Sequence, residues 1–140
     1  MKLIFSMFLL SLSLSSFAAL DDKGIKDKVR IISKLYGDNY AVLLPKSIKT
    51  KKMDRAGVTV ISFHMEGFSG GNNSSQFIVF LNSDSQNVMG IHPYYHHRNF
   101  YDINSAIYSD KVITINSPSG VISFYRKYSI WLSSAEQIGI

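Results

Sequence analysis

Three short stretches rich in glycine, proline, asparagine and serine punctuate the chain: GFSGGNN (67–73), NSDSQ (82–86) and SPSG (117–120). Each separates two β-rich runs. Links this short join antiparallel strands, because a parallel pair needs a crossover of a dozen or more residues. The runs themselves read as strands. VTVISFHME (58–66) puts Ile61, Phe63 and Met65 on one face and Ser62, His64 and Glu66 on the other. SSQFIVFLN (74–82) is nearly continuous apolar, the pattern of a central strand. NYAVLL (39–44) stops at Pro45, and NVMGIH (87–92) is short. KVITIN (111–116) leads through SPSG into one long run, VISFYRKYSIWL (121–132). There Ile122, Phe124, Tyr128, Ile130 and Leu132 share one parity, interrupted by Arg126.

Ahead of the strands, LDDKGIKDKVRIISKLYG (20–37) has the spacing of an amphipathic helix. Its apolar stripe is Ile25, Val29, Ile32, Leu35 and Tyr36, with Asp21 and Asp22 at the start and Gly37 at the end. The expected fold is α+β: this helix packed on an antiparallel sheet of about five or six strands. No repeat or linker divides the chain, so a single domain over 19–140 is expected.

The first residues carry the three parts of a secretory signal: Lys2, an apolar run from Leu3 to Leu14, and the small-residue exit SSFAA. The run is too short to span the ~20 residues of a hydrocarbon core, and no basic stop-transfer cluster follows. Cleavage after Ala18, with Ala19 as the alternative, would remove 18 of 140 residues and leave 122. That length buries a core without staples, and the chain has no cysteine to make any. A soluble periplasmic or secreted protein is therefore expected.

Losing Lys2 leaves 14 basic residues against 10 acidic ones, a net charge of +4. Such a protein meets anionic head groups, cell-wall polymers, nucleic acid and acidic proteins in an envelope; nothing in the sequence singles out nucleic acid. Five of the cations lie in PKSIKTKKMDR (45–55). This stretch reads as a basic loop in which Lys49, Lys51 and Lys52 either steer a partner or are simply solvated.

The segments HMEGFSGGNNSSQFIVFL and GIHPYYHHRNFYDIN, with SPSG before the last strand, resemble a group of small exported bacterial proteins of unknown function. That group shares an EG-GGN hairpin followed by a strand ending in VF. Its members carry two cysteines before the final turn, where this chain has Asn116 and Ser117. The resemblance implies export and the fold, and assigns no activity.

Residues 90–104, GIHPYYHHRNFYDIN, concentrate three histidines, three tyrosines, a phenylalanine and an arginine. A loop is expected here, given Pro93 and the clustered rings. Four readings compete. A metal site would use His92 and His96, with His64 or Asp102 as an outside ligand. Acid–base chemistry on a phosphodiester would pair His64 with a loop histidine and a cation such as Arg98 or Lys127. A stacking surface would use the rings and Arg98 for a sugar, a base or a protein. Structural packing of the rings is the fourth. Ser62, His64 and Glu66 lie two apart on a strand, ~7 Å between neighbours, too far for a nucleophile and its base. The glycine turn is followed by neither GKS/GKT nor a helix, so no cofactor is implied.

The leading expectation is an exported, non-catalytic binding module. Its contact set is Tyr94, Tyr95, His96, His97, Arg98 and Tyr101, assisted by Lys49, Lys51 and Lys52. Its partner would be a protein, such as an envelope enzyme or toxin it restrains, or an anionic envelope polymer. The alternatives are a small secreted histidine-based hydrolase and a histidine-rich metal-binding protein.

Overall fold

A computed structural model describes residues 22–95 and 100–134. The signal segment and the His96, His97 and Arg98 part of the contact set lie outside the described residues. Among the described residues one α-helix, α1 (Asp22–Tyr36), precedes eight strands: β1 (Val42–Met53), β2 (Val58–Glu66), β3 (Ser74–Asn82), β4 (Val88–Tyr94), β5 (Asp102–Ser109), β6 (Val112–Ser117), β7 (Gly120–Lys127) and β8 (Ile130–Ser133). Strands β1 to β4 form one antiparallel sheet and β5 to β8 a second, each in chain order. The α+β class holds. The single sheet of five or six strands does not: there are two four-stranded sheets.

Two-sided burial of the first sheet explains the layering. From β3, Phe77, Val79 and Leu81 join Ile61, Phe63 and Met65 of β2 against Ile25, Val29 and Ile32 of α1. From its other face, Ile78 and Phe80 join Val58 and Val60 against Ile113, Ile115, Phe124 and Trp131 of the second sheet. A strand covered on both faces has no reason to alternate, hence the unbroken FIVFL. The expected stripe of α1 holds except at Leu35, which is 74% exposed. Gly37 ends the helix by donating its N–H to Ser33 O at 2.8 Å. A Cβ at Gly37 would lie 2.7 Å from that same oxygen.

Pro45 does not end β1, and residues 46–53 are a strand rather than a basic loop. Pairing with β2 slips between Leu44 and Lys49. Ser47 Oγ fills the gap, accepting from His64 N (2.8 Å) and donating to Leu44 O (2.6 Å). Proline is tolerated because β1 is an edge strand at an irregularity. Lysines on an edge also deter pairing with another chain.

The long run 121–132 is two strands. A two-residue turn at Tyr128–Ser129 sets Lys127 opposite Ile130. This pairing reverses parity, so Ile122 and Phe124 face inward on β7 while Trp131 and Ser133 do so on β8. Strand β5 escaped the sequence reading. Its pairing with β6 is irregular between Asp102 and Ile107, so Ile103 and Ala106 are buried out of step.

Both seams between the sheets are closed by specific contacts. At one, Lys51 Nζ donates to Asn104 O (2.7 Å) and Ala106 O (2.8 Å) of β5. At the other, His92 Nε2 lies 2.8 Å from Trp131 O. A carbonyl only accepts, so this nitrogen carries the proton. Gly90 lets β8 come this close, since a Cβ there would sit 2.7 Å from Trp131 O. Gly90→Ala is therefore expected to lower unfolding free energy by about 1–3 kcal/mol through overpacking, measured by urea denaturation.

Candidate functional site

The interior between the sheets changes character along its length. Toward one end, Val60 lies opposite Phe80. The next inward row is Ser62, Ile78 and His92, and the one after is His64, Gln76 and Tyr94. Ser62 and His64 thus face the second sheet rather than solvent, while Glu66 at the strand end is exposed. This polar end is where the first sheet's last strand ends, at Tyr94, and the second sheet's first strand begins, at Asp102.

Gln76 organises the crossover. It is 1% exposed, and its amide lies against the backbone of Tyr101 like one more strand residue. Gln76 Oε1 accepts from Tyr101 N (2.8 Å), while Nε2 donates to Tyr101 O (2.7 Å) and to Ser62 Oγ (2.9 Å). The two-point clamp fixes where the crossover lands. It carries Phe100 onto His64, ring centres 4.1 Å apart, and Tyr101 onto Tyr94 at 5.0 Å.

Beside the clamp a half-open cleft of about 250 Å³ is lined by Ser47, Lys49, His64, Phe100, Tyr101 and Asp102. Burial holds the His64 imidazole below its ordinary pKa, the Lys49 ammonium adds to the effect, and Glu66 opposes it. The cleft thus presents a cation, a predominantly neutral imidazole at neutral pH, a carboxylate and two ring faces. Asp102 is partly engaged, with Oδ1 accepting from Asn104 N at 3.0 Å.

The expected contact set divides among several environments. Tyr94 and Tyr101 pack against the core between the sheets. Tyr95 lies on the other side, its ring edge-on to Phe68 (5.7 Å) and Phe77 (5.9 Å), and it is 45% exposed. Partial burial raises its phenol pKa. Strand alternation also divides the lysines. Lys49 faces the cleft, Lys51 is committed to the seam, and Lys52 lies 3.6 Å from Asp54 on the surface.

His92 belongs to β4 and is 4% exposed. His64 sits two strands away, with strands about 4.8 Å apart, so these two histidines do not share a proton. Among the described residues no group of three or more His, Cys, Asp or Glu could hold a metal ion. No helix among them is long and apolar enough to cross a membrane.

The glycine turn is spoken for internally. Asn73 bonds both ways with the Phe68 backbone at 2.9 Å, and Ser69 N donates to Asp38 Oδ2. That bond, with those from Tyr40 and Ala41, holds the Asp38 carboxyl below its usual pKa. Sequence reading missed Gln76 and Ser47. The signal for Gln76 was one amide side chain inside an otherwise apolar strand. Comparison with protein-family models, curated proteins and solved structures yields no match for this chain.

Gln76→Leu strands the Tyr101 amide and carbonyl. It is expected to cost about 1–3 kcal/mol and to speed hydrogen exchange at the Tyr101 amide, read by NMR. His64 gives a pH signature. Its folded-state pKa lies below the unfolded value of about 6.5, so its contribution is complete above that pH. It is lost as pH falls toward the lowered folded value. Urea stability should thus decline less between pH 7.5 and 5 in His64→Gln than in the wild type.

Proposed function

We infer that the protein is an exported, non-catalytic binding module that holds a protein partner, or an anionic envelope polymer, at the crossover end of its sandwich. The observation that carries this reading is the cleft in which Lys49, His64 and Phe100 converge. In sequence, His96, His97 and Arg98 lie within four residues of Phe100. Cations beside flat rings favour anionic groups and protein surfaces, where tyrosine and arginine supply much of the binding energy. Lys51 and Tyr94 support the surface from behind, and Lys52 lies on another face.

Export rests on the Lys2, Leu3–Leu14 and SSFAA pattern and accords with the resemblance to small exported proteins. Against hydrolysis, Ser62 Oγ accepts from Gln76, His92 bonds Trp131 O, and the serine and carboxylate that share the cleft with His64 bond backbone groups, Ser47 donating to Leu44 O and Asp102 accepting from Asn104 N.

The test is affinity capture from an envelope extract of the source cells with the processed chain as bait, read by mass spectrometry. The bait's own N-terminus is expected to be Ala19. Lys49→Ala and Arg98→Ala should each reduce recovery of the specific partner by about tenfold, as one lost hot-spot contact does, with little change in melting. An anion beside Lys49 offsets its charge and lets His64 take up a proton. Capture should therefore strengthen between pH 7.5 and 5.5, and less so in His64→Gln. Recovery indifferent to all three substitutions would overturn the assignment of this end.

A further inference from the structure

The other end of the sandwich, where the β1–β2, β5–β6 and β7–β8 hairpins turn, holds a second half-open cavity. It has a volume of about 330 Å³ and is lined by Ala56, Tyr108, Lys111, Arg126, Tyr128 and Trp131. Trp131 is 1% exposed, stacked on Phe80 at 5.6 Å and edge-on to Tyr108 at 6.4 Å. Its indole N–H is buried without a hydrogen-bond acceptor among the described residues. Native proteins leave few such donors, and each calls for an explanation.

The cavity wall carries two cations and no carboxylate. Arg126 Nε donates to Tyr128 O at 3.3 Å, and no ion pair engages the guanidinium among the described residues. The nearest acid along the chain, Asp110, lies within 3.5 Å of the Ser109 hydroxyl.

Backbone conformation adds an independent sign. Lys111 (φ 65°) and Tyr128 (φ 58°) both occupy the left-handed region, where glycine, asparagine or aspartate is the usual choice. Of five non-glycine residues with positive φ among those described, these two line one cavity. Tyr128 is also 89% exposed, so its ring stabilises little in the free protein. A strained turn that holds an unburied ring over a cationic hollow suits a contact made on binding.

We propose that this cavity binds a small carboxylate carried on a ring, either an acidic monosaccharide or an aromatic acid. The carboxylate sits by Arg126 and Lys111, and the ring lies against Tyr108 and Tyr128, above the wall that Trp131 contributes. The volume lies at the low end for ligand pockets, which restricts the occupant to about one ring. The site is at the opposite end from the crossover cleft and shares no residue with it.

Trp131 is the only tryptophan in the chain, so its emission comes from a single reporter in the wall of this cavity. The full processed protein is titrated with D-glucuronate and with benzoate, and with glucose as the neutral control. A saturable emission change with either acid is expected, with glucose weaker by about tenfold or more for want of a charge-assisted bond. Which acid saturates distinguishes the two sources. Arg126→Ala should weaken binding by about tenfold or more. Tyr128→Gly should weaken it too while melting stays level or rises, because glycine relieves the left-handed turn. A merely structural tyrosine would not separate those two readouts. Absence of saturation with both acids, an equal response to glucose, or binding unchanged in both variants would overturn the proposal.

Discussion

Phe80 lies between Trp131 and Phe124 on one face of β3, while Phe77 stacks on Phe63 at 5.1 Å on the other. These two ring clusters, one residue parity apart, hold three layers together. Fully burying a side chain of this size contributes about 1.5–3 kcal/mol. The backbone of β3 is satisfied on both sides by β2 and β4. Two-sided apolarity has a cost in specificity, because a one-residue slip would still place apolar groups on both faces. The strand's polar ends compensate. Gln76 locks onto Tyr101, and Asn82 Oδ1 accepts from Asp84 N and Ser85 N in the following turn. Register is thus specified by two amides more than by the hydrophobic pattern between them.

This division explains which parts of the fold were legible in the sequence. Strands β2 and β3 could be bounded correctly because turn residues flank them and their pattern is either alternating or uniformly apolar. The helix was legible from its spacing. Strand β1 was obscured because it carries several lysines, one of which, Lys51, serves the seam with β5, so charge looked like solvent exposure. The split between β7 and β8 was hidden because its turn uses Tyr128 and Ser129, where hairpin chemistry favours glycine or asparagine. Strand β5 has an irregularity that breaks its alternation. The second sheet as a separate layer could not be seen at all, since Ser62 and His64 look like surface residues until something covers them.

The candidate site was legible only as a region. Residue types in GIHPYYHHRNFYDIN mark a ring-rich crossover, but periodicity ends at Pro93 and cannot say which way each ring turns. The sheet then decides: Tyr94 goes inward, Tyr95 outward, and His92 into the seam. His64 and Lys49 come from the neighbouring strands β2 and β1, far from Phe100 in sequence, and the fold sets all three around one cleft. The two ends of the sandwich consequently differ in chemistry. One joins an imidazole to a lysine and an acid around an amide clamp, and the other sets two cations and two tyrosines over a buried indole.

Closure of the two seams has a consequence for how this molecule can meet others. Pro45 and the Ser47 irregularity interrupt the row of amides on β1, Lys51 reaches over to β5, and Gly90 allows β4 and β8 to abut. These features hinder extension of either sheet by a visiting strand. Association by strand addition, the common route to fibrils and to many adaptor complexes, is disfavoured at these points. Encounters are then favoured at the extremities, where hairpin tips can change their side chains without disturbing the layers that support them.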